Sequence, residues 1–471
     1  MHYKKIAAFA VGPIGGAILG FVTLPLITWF FSTEDVGRLA ILNVAISFST
    51  LFFSLGLDQA YVREYHEEVN KAALFKTVFL PGFLLLTMTL FFIITLNGAL
   101  SNWLLGIQSI QLSILIAFVL VSTFIARFLS LILRMSERGF AYSMSQILPK
   151  LLLIIIILGF IVFNSTKDIT NLVIAYMVSS IFVFLVYSWN TRKDWLSAFR
   201  QQIDYEKLLR LLKFGLPLIF GSIAFWGLTA TDKVLLKELS DYNELGVYSV
   251  AVSFAAAATV FQSVFSTIWS PMVYKWAAEG NNLKKIDKVN RYVLLIVTTF
   301  FCLAGLFSWL VTLFLPAQYE SVQWIVISCL GYPLLYTLSE TTVVGIGISR
   351  RPIFSMVASI IAFIANIIGN YYFIPSLGAV GAAISTCIAF WLFFILRTEF
   401  SILLWRAVPR VLLYTYTGLA VGGAVLNTLY GDVLGESFFL YWFILLFSLF
   451  IFFKAEVKEI KSIILKKVNH P

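Results

Sequence analysis

The sequence predicts an all-α membrane protein, and three observations support this: composition, the length of the apolar runs, and the placement of the cations. Hydrophobic residues make up 60% of the 471-residue chain and charged residues only 12%, whereas a soluble domain carries roughly 25% charge. About fourteen apolar runs follow one another, each close to the roughly 20 residues that a helix needs to cross a bilayer. Each run is about twice the length of a barrel strand, so we expect helices.

The predicted spans start with an uncleaved first helix. That run is longer than the roughly 7–15 residues of a signal-peptide core, and no convincing cleavage site follows it. In chain order the predicted spans are 6–31, 39–61, 76–96, 110–134, 141–163, 169–188, 211–236, 246–270, 291–315, 321–348, 352–373, 377–397, 408–428 and 437–453.

The cations predict the orientation of the chain. Almost all of the 34 Lys and Arg residues fall in alternate gaps between the apolar runs, and positively charged loops stay in the cytoplasm. This places both termini in the cytoplasm of a bacterial inner membrane, with Arg38, Lys167 and Lys237 on the other side. The net charge of +10 is explained by this sorting and suits an anionic inner leaflet, so we predict membrane lipids and no nucleic acid as partners.

The longest interruption, Asn190 to Arg210, divides the chain into two halves. It is basic, with apolar residues at four-residue spacing, which favours an amphipathic helix on the inner membrane surface; a solvated linker is the alternative.

The two halves of the chain resemble each other: "EDVGRLAILNVAISF" and "NELGVYSVAVSFA" follow Pro13 and Pro217 at a common offset. Two parallel repeats of six spans are therefore predicted. The predicted domains are a six-helix lobe at 1–188, a linker at 189–210, a second six-helix lobe at 211–400, and two additional helices with a basic tail at 401–471.

Glycine and proline open the first and seventh spans. Gly12 and Pro13 lie early in the first, and Pro217 lies at the matching place in the seventh. Proline removes a backbone hydrogen bond and bends a helix. Their symmetric placement predicts a hinge, with ordinary packing irregularity as the alternative.

Several classes of chemistry are absent from the sequence. It contains no GxxxxGK[ST] phosphate loop, and no outward loop is long enough to collect catalytic residues. The three cysteines lie in apolar runs and the three histidines lie outside the spans, so neither a disulfide framework nor a metal site is predicted. We expect no cofactor and no enzymatic activity.

Cations within or beside the spans are the candidate substrate contacts. Arg127, Lys150 and Lys233 break the sorting rule, and Arg63 and Arg134 lie at the inner ends of spans. Polar residues at bilayer depth are costly and often functional. Together these side chains suit an anionic head group such as a pyrophosphate, which arginine binds bidentately. Snorkelling toward the membrane surface is the alternative for each cation.

Acidic and amide groups in the spans are the candidate ion-coupling residues. Asp58, Asp232 and Glu340 could take up a proton or Na⁺, and Asn366 lies on a small, polar helix face. For the Asp232–Lys233 neighbours a structural ion pair at the membrane face is the alternative. For small polar faces the alternative is tight helix packing.

The chain resembles the Wzx-type O-antigen and polysaccharide flippases of the multidrug/oligosaccharidyl-lipid/polysaccharide (MOP) exporter superfamily. The resemblance covers essentially the whole chain. It rests on "LPLITWFFSTEDVGRLA", "SLGLDQAYVREY", "KFGLPLIFGS", "TDKVLLKELSDYNELGVYSVA" and "PSLGAVGAAIST".

This resemblance implies two lobes that form a V-shaped cavity and rock between inward-open and outward-open states. It implies an undecaprenyl-pyrophosphate-linked oligosaccharide as substrate, a proton or sodium gradient as energy source, and head-group contacts at Arg127, Lys150, Lys233 and Arg63. Lys233 stands where many relatives have arginine. Other membrane proteins of polysaccharide assembly are expected partners. A cation-coupled multidrug exporter, a lipid II flippase and a membrane glycan polymerase are the alternative functions.

Overall fold

The computed structural model describes residues 3–163, 167–279 and 283–459, and every regular element in these ranges is helical. The histidine and the three lysines of the basic tail beyond 459 lie outside the described residues. The helices are α1 (Tyr3–Phe30), α2 (Thr33–Phe53), α3 (Leu57–Glu64), α4 (Lys71–Thr95), α5 (Ala99–Leu105), α6 (Ile110–Met135), α7 (Gly139–Val162), α8 (Ile169–Asn190), α9 (Arg192–Phe199), α10 (Tyr205–Leu239), α11 (Tyr242–Ala255), α12 (Ala257–Glu279), α13 (Leu283–Phe307), α14 (Val322–Cys329), α15 (Gly331–Thr342), α16 (Val344–Ile348), α17 (Ile353–Leu404) and α18 (Val411–Phe452).

Ten helices in the described ranges are long and apolar enough to cross a membrane, or eleven if the bent pair α11–α12 counts as one span. The multi-pass membrane class predicted from the sequence is therefore confirmed. Helix α17 is too long for one crossing, because its 52 residues would extend roughly 78 Å and a hydrocarbon core is about 30 Å thick. Helix α18 is also long, with 42 residues.

Both long helices fold back on themselves. In α17 the backbone leaves helical geometry at Gly378, where φ is +54°, and the Asn366 amide then meets the Thr386 hydroxyl across the two legs at 3.1 Å. In α18 the break lies at Leu434, and Trp442 donates a hydrogen bond to Asn427 at 3.2 Å. Each is an antiparallel hairpin with two apolar legs. The total of about fourteen crossings stays a prediction.

The chain forms two compact units, residues 1–234 and 235–471, called unit 1 and unit 2 below. Unit 1 holds most of α10, because the start of α10 packs directly on the turn between α2 and α3. A Cβ added at Gly215 would lie 2.9 Å from the carbonyl carbon and oxygen of Gly56. The domain limits expected from the sequence stay predictions.

The second predicted span is broken near its end. Helix α2 stops at Phe53, and Leu55 and Gly56 take the left-handed conformation with φ of +54° and +67°. Helix α3 then restarts at Leu57 and carries Asp58. Asp58 therefore leaves the single helical face that the spacing from Asn43 onward suggests, because the break changes both its helix and its direction.

The two repeated motifs begin helices in the same way. Ser32 caps α2 by accepting a hydrogen bond from the backbone N–H of Asp35 at 3.1 Å, and Asp241 caps α11 by accepting one from Glu244 at 2.9 Å. Such caps satisfy one of the unpaired N–H groups of a helix start. The sequence similarity of the halves therefore corresponds to similar local structure.

Unit 2 includes the two C-terminal legs as part of its core. The fully buried Trp442 of α18 lies over Gly305 of α13, where an added Cβ would approach the indole at 2.3 Å. Trp324 covers Gly431 in the same way at 2.5 Å. Glycine at these places lets large aromatic rings approach a helix backbone, as in membrane helix packing generally.

Polar contacts join α4, α9 and α10 at one end of unit 1. Lys207 pairs with Glu68, and Asn70 donates a hydrogen bond to Gln201 at 2.8 Å. Arg138 lies 3.6 Å from Asp194 in α9. The hydrogen bond from the Lys207 ammonium holds the pKa of Glu68 below its usual range.

Replacing Gly215 by alanine tests the contact between α10 and the α2–α3 turn. The new methyl group meets backbone atoms that cannot rotate away, so we expect Gly215→Ala to cost about 1–3 kcal/mol of stability. Gly221 in the same helix is the control, since an added Cβ meets nothing within 4 Å. Gly221→Ala should be neutral or stabilise by up to about 1 kcal/mol. Equal melting temperatures for both variants in detergent would refute the close contact.

The Glu68–Lys207 pair predicts a pH-dependent stability. Because the pKa of Glu68 is lowered in the folded state, the pair stabilises above the ordinary carboxylate range and this stabilisation is lost as pH falls through the lowered value. The melting temperature of Glu68→Gln should therefore fall below that of the unaltered protein at neutral pH, with the gap closing below about pH 4. Glu67→Gln, at the exposed neighbouring position, is the control. A gap that stays constant with pH would contradict the pairing.

Candidate functional site

A polar cavity of about 360 Å³ lies within unit 1, between α6, α7 and α8. Helix α6 contributes one cation and two hydroxyl groups, and the other helices add hydroxyl and amide groups. The lining residues are Thr123, Ala126, Arg127, Ser130, Tyr142, Ser145, Gln146, Pro149, Ser180, Val183 and Tyr187. A cavity with this lining offers hydroxyl and amide oxygens and one guanidinium to a ligand.

Arg127 forms an ion pair with Asp58 of α3. Its Nη2 donates to the Asp58 Oδ2 at 3.1 Å, and this single bond is the only polar side-chain contact that the described residues give the guanidinium. The Arg127 side chain is 45% exposed, while that of Asp58 is 14% exposed. Two residues predicted for different roles, head-group binding and ion coupling, therefore lie together.

Lys150 is held against α1. Its Nζ donates to the Gly16 carbonyl oxygen at 2.5 Å, and a Cβ at Gly20 would lie 3.0 Å from the same nitrogen. The carbonyl oxygen of the neighbouring Pro149 accepts a hydrogen bond from the Ser179 hydroxyl at 2.7 Å. Lys150 therefore satisfies a backbone carbonyl next to the cavity that Pro149 lines.

The glycines of α1 form the surface that meets α7. A Cβ at Gly12 would lie 2.7 Å from the Ser143 Cα, and one at Gly15 would lie 2.8 Å from Ile147. Gly12 thus permits close packing of the two helices. The backbones of Pro13 and Pro217 lie inside α1 and α10, and the hinge role of all three residues stays a prediction.

The remaining predicted cations occupy different surroundings. The Arg63 guanidinium stacks on the Phe214 ring of α10 at 4.4 Å, and Arg134 is exposed in the last turn of α6. Lys233 is half-buried and Asp232 is 1% exposed, and both interact with other groups. Arg63 and Arg134 lie toward the same end of unit 1, since they end α3 and α6.

Glu340 lies in unit 2 and is paired with Arg397. The Glu340 Oε1 is 3.0 Å from the Arg397 Nη2, and the two side chains are 14% and 10% exposed. Arg397 also donates to the Ser339 hydroxyl at 2.7 Å, and its guanidinium lies 4.9 Å from the centre of the Phe393 ring. This is a closed pair, with both charges removed from solvent.

Arg397 was not predicted as a site residue, because the twelfth predicted span ends at that position. The apolar letters continue to Leu404, and α17 does too. The continuation "TEFSILLW" is the signal that places Arg397 inside the helix.

Asn366 joins the two legs of the α17 hairpin. Its side chain donates to Thr386 at 3.1 Å and accepts from the Asn370 amide at 3.1 Å, while Ser385 donates to its carbonyl oxygen at 2.9 Å. Asn366 is fully buried. The bonds to Thr386 and Ser385 connect one leg to the other, which agrees with the helix-packing alternative for this polar face.

Among the residues that the structure describes, no group of three or more His, Cys, Asp or Glu side chains could hold a metal ion. Of the predicted site residues, the structure brings Arg127 and Asp58 into contact and sets Lys150 one residue from the wall of their cavity. Glu340 and Asn366 have separate environments within unit 2.

Solved structures of membrane transport proteins have a similar fold. The lipid II flippase MurJ in its inward-closed conformation aligns over 95% of this chain and 99% of its own length, with a TM-score of 0.68 and 15% identity. A multidrug resistance MATE family transporter in an inward-facing conformation covers 82% of this chain and 95% of its own, with a TM-score of 0.57 and 15% identity. At these identities the likeness establishes the fold alone, which is the fold of membrane transport proteins.

The family follows from the sequence match. The family model described as "Polysaccharide biosynthesis protein" matches residues 3–277, more than half of the chain. The chain therefore belongs to this family. This family, and the fold shared with MurJ and the MATE transporter, agree with the resemblance predicted from the sequence.

Two archaeal relatives are similar in sequence. The "probable low-salt glycan biosynthesis flippase Agl15" of Haloferax volcanii is 21% identical over 238 residues, which span 49% of each chain. This alignment thus covers only about half the length of that relative. An uncharacterised membrane protein of Methanocaldococcus jannaschii is 23% identical over 78% of this chain and 77% of its own.

The closed pair in unit 2 predicts a strongly non-additive mutant cycle. Removing Glu340 alone leaves the Arg397 charge buried without its partner, so Glu340→Leu should cost about 3–5 kcal/mol. Arg397→Met should cost a similar amount, and the double variant should cost much less than the sum because it leaves no buried charge. Thermal unfolding of the purified protein measures all three. Losses that add within about 0.5 kcal/mol would contradict the pairing.

Proposed function

We propose that this protein moves a polyprenyl-pyrophosphate-linked oligosaccharide, such as an O-antigen or related surface-polysaccharide repeat unit, across a bacterial inner membrane. The single observation that carries the proposal is the half-exposed Arg127 guanidinium, which has one ion-pair bond and opens into a cavity lined with hydroxyl and amide groups. A guanidinium offers five N–H donors in a planar fork that fits phosphate oxygens. Membership in the polysaccharide biosynthesis family supports the same substrate class.

Asp58 gives this site a means of coupling to an ion. Its carboxylate and the phosphate of a head group compete for the same guanidinium, since both bind arginine through charge-assisted hydrogen bonds. Protonation of Asp58, or capture of Na⁺ by it, weakens the hold on Arg127 and favours phosphate binding. Ion uptake and substrate binding are then linked, as the alternating-access mechanism implied by the family resemblance requires.

Lys150 and the exposed cations have supporting roles in this proposal. Lys150 keeps α7 and its Pro149 against α1 and adds positive charge near the cavity. Arg63 and Arg134 attract an anionic head group toward this end of unit 1. With both termini in the cytoplasm, that end faces the side on which lipid-linked oligosaccharides are assembled. Other polysaccharide-assembly membrane proteins are proposed partners on the same basis.

Two alternatives belong to the same superfamily. A lipid II flippase carries an anionic lipid-linked head group as well, and the likeness to MurJ favours it as the second candidate. A multidrug exporter for amphipathic cations fits the cavity poorly, because the only charged residue among its lining residues is Arg127.

Removing the Arg127 guanidinium should abolish most of the transport. We expect Arg127→Gln, expressed at matched levels in a strain that lacks the gene, to restore at most about a tenth of the surface polysaccharide, since loss of a charged hydrogen-bonded partner costs roughly 2–5 kcal/mol. Arg127→Lys should restore an intermediate amount. Arg351→Gln, a surface charge in unit 2, is the control and should restore polysaccharide fully.

Three results distinguish the alternatives. Full rescue by Arg127→Gln would refute the binding site. Intact surface polysaccharide in the deletion strain, with raised drug sensitivity, would favour the exporter. Arrest of cell-wall synthesis in the deletion strain, with normal surface polysaccharide precursors, would favour the lipid II flippase.

A further inference from the structure

Unit 1 contains a second, apolar cavity beneath the short helix α9, here called the α9 cavity. It has a volume of about 480 Å³, within the usual range of small-ligand sites. Helices α4, α6, α8 and α9 form its wall. The lining residues are Phe75, Lys76, Phe79, Leu80, Phe83, Ile125, Leu129, Phe184, Leu185, Ser188, Trp195, Ala198 and Phe199.

Aromatic rings give the α9 cavity a smooth, apolar wall. Phe75, Phe79 and Phe83 stack along α4 with centroid distances of 5.5 and 5.2 Å and nearly parallel planes. Trp195 and Phe199 of α9 meet edge to face at 5.7 Å on the opposite side. Such a slot suits a hydrocarbon chain, because few of its lining side chains are polar.

The depth of the cavity matches one leaflet. Its α4 residues lie 4 to 12 residues after the helix start at Lys71, which corresponds to roughly 6–18 Å. Its α8 residues lie in the last two turns before Asn190. The hydrocarbon of one leaflet is about 15 Å thick, half of the core. A chain in the α9 cavity therefore belongs to a lipid of the leaflet beside α9.

The mouth of the cavity is cationic. The Lys76 Nζ donates to the carbonyl oxygens of Phe199 at 3.1 Å and Gln201 at 2.6 Å, which places it beside the exposed Arg200. One ammonium N–H of Lys76 remains for another acceptor. The Asp194 carboxylate of α9 faces away toward Arg138. Positive charge at the end of an apolar slot complements an anionic lipid.

The substrate of the Arg127 site is a poor candidate for this cavity. Arg127 points to the polar cavity, whereas Ile125 and Leu129 line the α9 cavity. Residues two apart in a helix point about 200° away from each other. The two cavities therefore open on opposite faces of α6.

We propose that the α9 cavity binds an anionic phospholipid from the leaflet beside α9, with one acyl chain along the phenylalanine stack and the phosphate at Lys76 and Arg200. The bound lipid fixes α9 against α4 and so holds the connection between α8 and α10. This inference does not depend on the transported substrate.

Fluorescence quenching by brominated lipid tests the site in the intact protein. Trp195 lines the cavity, so phosphatidylglycerol with dibrominated acyl chains should quench it in nanodiscs of mixed phosphatidylglycerol and phosphatidylcholine. The part of the quenching that is lost in Trp195→Phe is assigned to the cavity. Trp189→Phe is the control, because the Trp189 indole is exposed. We expect half-saturation at a smaller fraction of brominated phosphatidylglycerol than of brominated phosphatidylcholine.

Charge variants identify the head-group contact. Arg200→Gln should weaken the preference for phosphatidylglycerol about fivefold, whereas Arg192→Gln, at the far end of α9, should change it less than about twofold. Equal quenching by both brominated lipids, or no effect of Arg200→Gln, would overturn the proposal. Displacement by undecaprenyl phosphate at a lower mole fraction than phosphatidylglycerol would also overturn it, since the cavity would then hold a polyprenyl chain.

Discussion

The structure depends on one constraint: hydrocarbon cannot solvate a charge or a backbone polar group, so each must find its partner inside the protein. The two ion pairs described above meet this constraint in different ways. Arg397 and Glu340 are both nearly buried, with additional hydrogen-bond and ring contacts around the guanidinium. Arg127 has one bond and is 45% exposed. The first pair stabilises unit 2, and the second can exchange its partner.

The same constraint explains the irregular helices. Where α17 turns back at Gly378, the Glu244 carboxylate accepts a hydrogen bond from the Ala379 N–H at 2.8 Å, so the start of the second leg is capped. Only glycine fits there, since the backbone is left-handed and an added Cβ would approach that carboxylate at 2.3 Å. At the α2–α3 turn, Gly56 lets α10 approach, and the break that it permits carries Asp58 toward Arg127.

The sequence was sufficient for the fold class and for part of the site. Apolar length and sorted charge predict a multi-pass helical protein, and Arg127 and Lys150 are recognisable as charges inside apolar runs. The partner of Arg127 was not predictable in this way, because Asp58 is 69 residues away and their contact depends on how α3 packs on α6. Arg397 was missed at an assumed helix end. The α9 cavity was also missed, since its wall comes from four helices that only tertiary packing brings together.

The central claim is that Arg127 alternates between the Asp58 carboxylate and the phosphate of an anionic lipid head group. The most direct test is the dissociation constant of purified protein for undecaprenyl pyrophosphate, measured at one fixed pH for the unaltered chain, for Asp58→Asn and for Arg127→Gln. The account predicts that Asp58→Asn, which releases the guanidinium, binds at least as tightly as the unaltered chain, and that Arg127→Gln binds more weakly. Weaker binding by Asp58→Asn, or unchanged binding by Arg127→Gln, would contradict the claim.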